Sequence, residues 1–226
     1  MKLGLVVSLY LFLTVLGGFV VPLCLCELLF GRVRLRYVGL GFLTFLGALV
    51  AYAIAGAFIA VGLKLLGLSL TWIAVTVAAV GAAVQEFVKW GTTRLAAKTL
   101  SDASGIGLGC GLVETLGVAA IIAAIPVLLH LPHLHLPQVV WEQLQAAPLY
   151  MALACIERLL ATMFHVGTCI AYLRDNRKVM PIVLSIVHWL IDTAAIMYAT
   201  TLEPALLYLT YIGLTISDTA LIVAYA

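Results

Sequence analysis

The stretch YVGLGFLTFLGALVAYAIAGAFIAVGL, residues 37–63, is almost entirely apolar and contains no charged residue, which indicates the class of fold. A helix that crosses the hydrocarbon core of a bilayer needs about 20 mostly apolar residues. Six more runs of this kind lie along the chain, at residues 3–30, 68–92, 103–129, 146–173, 179–200 and 204–226. The sequence therefore predicts an all-α polytopic membrane protein, a bundle of about seven transmembrane helices.

The composition supports the same class of protein. Hydrophobic residues make up 65% of the chain and charged residues 10%, whereas soluble domains average about 45–50% and about 25%. A water-soluble globular protein is thereby excluded. The net charge is only +2, and its basic residues form short clusters between apolar runs, so nucleic-acid binding has no support. We expect residues 1–226 to form a single integral-membrane domain with a motif-bearing core at 68–200.

Neither disulfides nor a cleaved leader are expected. The five cysteines all fall in apolar stretches, and an odd number there does not describe a disulfide framework. The first apolar run, 3–30, is much longer than the apolar region of a secretory signal and lacks a typical cleavage site. We therefore expect the first helix to stay attached.

The basic residues predict which loops face the cytoplasm, because Lys and Arg are enriched in cytoplasmic loops. They cluster in three alternate connections, as Arg32, Arg34 and Arg36, as Arg94 and Lys98, and as Arg174, Arg177 and Lys178. The connection at 130–148 has no Lys or Arg. We expect an outside amino terminus and a cytoplasmic carboxyl terminus, in a prokaryotic plasma membrane.

Ionisable side chains inside spans are rare and mark function by default. In this chain they are Glu86, Lys89, Glu114, Glu157, Arg158, His165, His188, Asp192 and Asp218. At a rise of about 1.5 Å per residue, four of these lie about 10–16 Å from the predicted cytoplasmic ends of their helices: Glu86, Glu114, His165 and His188. Their common depth predicts a single site in the cytoplasmic half of the bundle.

Two imidazoles and two carboxylates suit a divalent metal such as zinc, whose bound water becomes acidic enough to attack a peptide carbonyl. The alternative is a buried hydrogen-bond network that ties helices together. Glycines 105, 107, 109 and 111 open the fourth span at a spacing that allows close helix packing. They also predict space for a substrate beside Glu114.

Four segments in order resemble the motifs of the YhfC family, membrane proteins predicted to be intramembrane metalloproteases. The family belongs with the CAAX prenyl proteases and PrsW-like enzymes. The matching segments are Gln85–Lys89, Gly107–Glu114, Glu157-Arg158 with His165, and His188–Asp192. Three positions depart from the family pattern: Gln85 stands for a Glu, Lys89 for an Arg and Cys110 for a His.

The resemblance implies a peptidase that cleaves a membrane-embedded or lipidated peptide. It implies Glu86 as the water-activating base. Metal-binding or transition-state-stabilising roles fall to Glu114, His165 and His188, and Asp192 orients His188. Supporting roles fall to Gln85, Lys89, Cys110, Glu157 and Arg158.

Two other functions compete with the peptidase. The Aph subunit of gamma-secretase, in the same superfamily, also has a Gln-Glu pair and two buried histidines without being a protease. A noncatalytic membrane scaffold is therefore the main alternative. A proton relay or transporter is a third, since acids and histidines also build relays. Metal binding by His130, His133 and His135 is disfavoured, because the interleaved Leu and Pro residues fit an interfacial loop better.

Overall fold

The chain folds almost entirely into helices. The structure, a computed structural model, describes residues 3–128, 147–201 and 203–226. The helices are α1 (Leu3–Val15), a π-helical turn (Leu16–Val20), α2 (Val21–Phe30), α3 (Leu35–Leu65), α4 (Leu70–Ala96), α5 (Leu100–Leu128), α6 (Ala147–Arg174), α7 (Met180–Thr201) and α8 (Pro204–Tyr225). No strand occurs in these ranges, and the all-α prediction is confirmed. The three histidines at 130, 133 and 135 lie outside the described residues.

Six stretches in the described part of the chain are long and apolar enough to cross a membrane. They are Leu5–Phe30, Leu35–Leu65, Leu70–Ala96, Leu100–Ala124, Met180–Tyr198 and Ala205–Tyr225. The remaining helix, α6, has 28 residues and falls outside these six. It carries Glu157, Arg158 and His165 and packs against both α5 and α8, so its polar residues face into the bundle. These helices confirm the prediction of a multi-pass membrane protein.

Six helices form a ring in which each packs against two neighbours. Going round, α3 contacts α5, α5 contacts α6, α6 contacts α8, α8 contacts α7, α7 contacts α4, and α4 returns to α3. The first span, from α1 to α2, packs on the outside of this ring against α5 and α6. The inner faces of α4, α5, α6 and α7 therefore meet in the middle, where the ionisable residues lie.

The glycines of α5 allow close helix packing on two sides. Gly105 and Gly109 face α3, whereas Gly107 and Gly111 face α6. A β-carbon at Gly107 would lie 2.7 Å from the carbonyl oxygen of His165, which is closer than real side chains come. These glycine positions are thus filled by neighbouring helices, and the substrate space predicted beside Glu114 does not lie over them.

Three connections share one end of the bundle and carry five of the twelve basic residues, and we call this end the basic end. They are residues 31–34, 97–99 and 175–179. Near this end the Ser101 hydroxyl at the start of α5 donates to the Arg32 carbonyl at 2.6 Å, and Arg34 lies 3.7 Å from Asp102. The Arg94 guanidinium of α4 lies 3.4 Å from the Tyr172 carbonyl of α6. The other end, where α3 ends and α4 begins, is called the opposite end.

Candidate functional site

The Lys89 ammonium lies at the centre of the polar cluster. It donates to Glu86 Oε1 at 2.5 Å, His165 Nδ1 at 3.0 Å and Thr168 Oγ1 at 3.2 Å. An ammonium has three hydrogens, so all of its donors are used within the protein. The Lys89 side chain is fully buried. This one cation therefore fastens α4 to α6 inside the bundle.

Glu86 is a fully buried carboxylate whose two oxygens both accept hydrogen bonds. Oε1 accepts from Lys89 and from His188 Nδ1, the latter at 2.7 Å, and Oε2 accepts from the Tyr172 hydroxyl at 2.7 Å. A carboxylate taken out of water is tolerated when it is paired and hydrogen-bonded. Glu86 thus joins α4, α6 and α7 at one point.

The partners of His165 assign its tautomer. Nδ1 faces the Lys89 ammonium, which can only donate, so Nδ1 must accept. The ring hydrogen is then on Nε2, which lies 3.2 Å from Glu114 Oε2 and donates to it. Phe45 packs edge-on against the same ring, with the ring centroids 5.1 Å apart. Both nitrogens of His165 are therefore engaged.

His188 has the opposite arrangement. Its Nδ1 faces Glu86, which can only accept, so the neutral ring carries its hydrogen on Nδ1. The lone pair is then on Nε2, 3.7 Å from Asp192 Oδ2 and too far for a hydrogen bond. A carboxylate that holds one imidazole nitrogen and leaves the other free is the arrangement that prepares histidine as a base in hydrolases.

The structure brings the four principal predicted residues together from four different helices. The rings of His165 and His188 are 5.9 Å apart between centroids, and each ring pairs with one carboxylate, Glu114 for the first and Glu86 for the second. The cluster is one site rather than several separate polar contacts.

The supporting residues lie around it in different ways. Arg158 is hydrogen-bonded to Glu157 and lies 3.7 Å from Glu114. Cys110 is buried, with its thiol 3.7 Å from the Gly41 carbonyl. Gln85 is buried, and its Oε1 has no hydrogen-bond partner among the described residues. Two residues bind to the cluster without having been predicted, Tyr172 and Thr168. Both lie on the same face of α6 as His165, Thr168 three residues and Tyr172 seven residues after it, a spacing that could have indicated them.

The donor atoms do not form the metal centre that the resemblance implies. A catalytic zinc takes three protein ligands and keeps one position open. Within the described ranges, no three His, Cys, Asp or Glu side chains are grouped to hold a metal ion. The physical reason is that each imidazole is paired with its own carboxylate, and the Lys89 ammonium occupies the space between Glu86 and His165. As arranged, these side chains do not fit a zinc ion.

Comparison of the chain with models of protein families, with curated proteins and with solved structures finds no match in any of the three.

Proposed function

We propose that this chain is a membrane-embedded peptide hydrolase in which His188 activates water and Glu86 orients His188. The observation that carries the proposal is the 2.7 Å contact between Glu86 and His188 Nδ1, which leaves Nε2 as the free basic atom. The proposal differs from the role that the family resemblance implies for Glu86. Both Glu86 oxygens already accept hydrogen bonds and the side chain is fully buried, so His188 is the better base.

The proposed reaction needs only this chain and water. His188 Nε2 takes a proton from a water molecule while the water oxygen adds to the carbonyl carbon of a peptide bond. The imidazolium then returns its proton to the leaving amine as the C–N bond breaks. General acid–base catalysis of this kind contributes about 10²- to 10⁴-fold in rate. Glu86, bonded to Nδ1, and Asp192, 3.7 Å from Nε2, stabilise the positive charge that the ring gains in this step.

Lys89 and His165 serve as positioning residues in this proposal. Lys89 fixes Glu86 by the 2.5 Å ion pair and at the same time fixes the tautomer of His165. The rigid pairing keeps the His188 ring in one orientation, which hydrolysis requires. The substrate class is a peptide within or at the membrane, since the site lies inside a bundle of membrane-spanning helices. Arg and Lys in alternate loops support a cytoplasmic basic end.

One observation favours a second candidate function, a noncatalytic membrane scaffold. Every hydrogen of the Lys89 ammonium is bonded within the protein, and the Lys89 and Glu86 side chains are both fully buried. Buried polar contacts of this kind also hold transmembrane helices together. In a scaffold, the cluster would fix the helix arrangement that a partner protein recognises.

The substitution His188→Asn separates the two functions. The Asn amide keeps an N–H near the position of Nδ1, so its bond to Glu86 can persist, but the basic Nε2 is lost. The purified chain, in vesicles with host membrane proteins, is assayed by mass spectrometry for new peptide amino termini. We expect new termini with the wild type and with the control Asp218→Asn, and none with His188→Asn.

Two results would contradict the hydrolase. The first is an identical set of new peptide termini from the wild type and from His188→Asn. The second is the absence of any new termini together with a co-purifying partner protein that His188→Asn no longer binds. This second result would support the scaffold. Metal content is measured on the same samples. One zinc per chain that is lost in His188→Asn would overturn the assignment of a base acting without metal.

A further inference from the structure

The candidate site is closed on the side that faces the basic end. The Tyr172 hydroxyl covers Glu86 at 2.7 Å, and the Tyr172 side chain is fully buried. About two turns beyond Glu86 towards that end, the Arg94 guanidinium lies 3.4 Å from the carbonyl oxygens of Tyr172 and Leu173. Lys89 is likewise fully buried. The helices α4 and α6 are thus sealed against each other between the histidines and the basic end.

On the other side of the histidines, charged side chains are partly exposed. The exposed fraction is 24% for Glu114, 28% for Glu157 and 38% for Asp192. Asp192 lies one helical turn beyond His188, and Glu157 about two turns beyond His165, both in the direction of the opposite end. Charged groups within a spanning bundle face its interior or a water-filled cavity. We call the space beside these three side chains the vestibule.

The vestibule carries net negative charge. Among the described residues, its three carboxylates are accompanied by one cation, Arg158, which is paired with Glu157 and lies 3.7 Å from Glu114. In that part of the chain Asp192 has no Arg or Lys partner within 4 Å and lies instead beside His188 Nε2, the proposed basic atom. A cleft lined by one sign of charge raises the local concentration of oppositely charged molecules, and it raises their association rates by about 10- to 10³-fold.

We infer that water and substrate reach His188 from the opposite end of the bundle, through the vestibule of Glu114, Glu157 and Asp192, and that the segment that enters is positively charged. The substrate class rests on the proposed function; the path does not, because it follows from which side of the site is sealed. Basic loops mark the cytoplasmic side, so the vestibule opens away from the cytoplasm. A site in the cytoplasmic half of the bundle would suggest that the substrate is recognised at the cytoplasmic face. The inferred path leads to the site from the other face.

The path is tested with cysteines placed at the two ends. Tyr52→Cys lies half-buried on α3, where the native ring packs against Gly81, more than one helical turn from Glu86 towards the opposite end. Its matched control is Arg177→Cys, whose native side chain is 69% exposed at the basic end. Sealed vesicles of either orientation are treated with a membrane-impermeant cationic methanethiosulfonate or with its anionic counterpart. Labelling is read as mass added to the peptide that holds the new cysteine, so the native cysteines stay in place.

We expect Tyr52→Cys to react only from the side opposite to Arg177→Cys. Its ratio of cationic to anionic reaction rates should exceed that of the control by at least about 10-fold. Adding Glu157→Gln to Tyr52→Cys should lower that ratio. Labelling of both positions from the same side would overturn the path, and equal rates for the two reagents would overturn the cationic substrate class.

A second position guards against a local effect of the new cysteine. Glu157→Cys must show the same sidedness as Tyr52→Cys, and a different sidedness, or no labelling of either, would overturn the path. The labelling is repeated with His188→Asn. That variant keeps the vestibule and should be labelled as before. Labelling as expected with no new peptide termini from the wild type would contradict the proposed function alone, and new termini with the wrong sidedness of labelling would contradict the inferred path alone.

Discussion

Glu86 and Asp218 are both carboxylates buried within the helix bundle, with exposed fractions of 0% and 6%, but their surroundings are opposite. Glu86 receives hydrogen bonds from Lys89, His188 and Tyr172. Neither oxygen of Asp218 has a hydrogen-bond partner among the described residues. Burying a charged group is costly unless it is paired. The difference shows that an acid inside a span indicates a site through its partners, and that burial alone does not.

The largest expected effect comes from removing the cation of Glu86. Lys89→Met leaves the Glu86 carboxylate buried without its ion pair, and breaking a buried pair in this way costs about 3–5 kcal/mol. We expect the free energy of unfolding, measured by denaturant titration in detergent, to fall by about that amount. The double variant Glu86→Gln with Lys89→Met removes both charges and should regain most of it. A double variant as unstable as Lys89→Met alone would mean that the pair is not coupled.

A smaller loss is expected from forcing α5 and α6 apart. In Gly107→Ala the new β-carbon meets the carbonyl oxygen of His165 at 2.7 Å, and overpacking typically costs about 1–3 kcal/mol. Gly117→Ala is the matched control on the same helix, because nothing lies within 4 Å of its β-carbon. That control should be neutral or stabilising by up to about 1 kcal/mol. Equal melting temperatures for the two variants would show that the helices do not depend on this close approach.

Replacing Asp218 should have a still smaller effect, and in the opposite direction from Lys89→Met. Asp218→Asn removes a carboxyl group that has no partner in the described ranges, so no hydrogen bond is lost. We expect the free energy of unfolding to stay the same or to rise by up to about 1 kcal/mol. A substantial loss of stability would reveal that Asp218 has a partner, and it would remove the contrast with Glu86.

The smallest effect concerns a carboxylate that is paired but lies outside the spans. In the connection between α6 and α7, hydrogen bonds from the Arg177 side chain and backbone lower the pKa of Asp175 from 3.8 to about 2. A lowered pKa in the folded state gives stability that is present above about pH 4 and is lost as the pH falls towards 2.

The measurement is the melting temperature of the wild type and of Arg177→Met as a function of pH. We expect a small difference at pH 6 that disappears near pH 2, because the protonated Asp175 no longer gains from the guanidinium. Asp175→Asn serves as the control and should show no such change in this range. A difference that grows at low pH would contradict the assigned direction.

The sequence by itself determined the helices and the residues that gather inside them. Apolar runs longer than about 20 residues can only be accommodated by a membrane or a buried core, so the order and approximate bounds of the helices could be predicted. The common depth of Glu86, Glu114, His165 and His188 could be predicted too, because rise per residue is fixed. The i, i+4 spacing of His188 and Asp192 likewise placed both on one face.

Only the tertiary structure decided which atoms of these residues meet. Lys89 and His165 are 76 positions apart, and His188 and Glu86 are 102 apart, so their contacts depend on how α4, α6 and α7 pack. Helical spacing gives the face of the helix on which a side chain lies. It does not give the rotation of each helix about its axis relative to its neighbours, and hydrogen bonds between helices depend on that rotation. That rotation placed the Lys89 ammonium between Glu86 and His165, and it left His188 Nε2 without a hydrogen bond to Asp192.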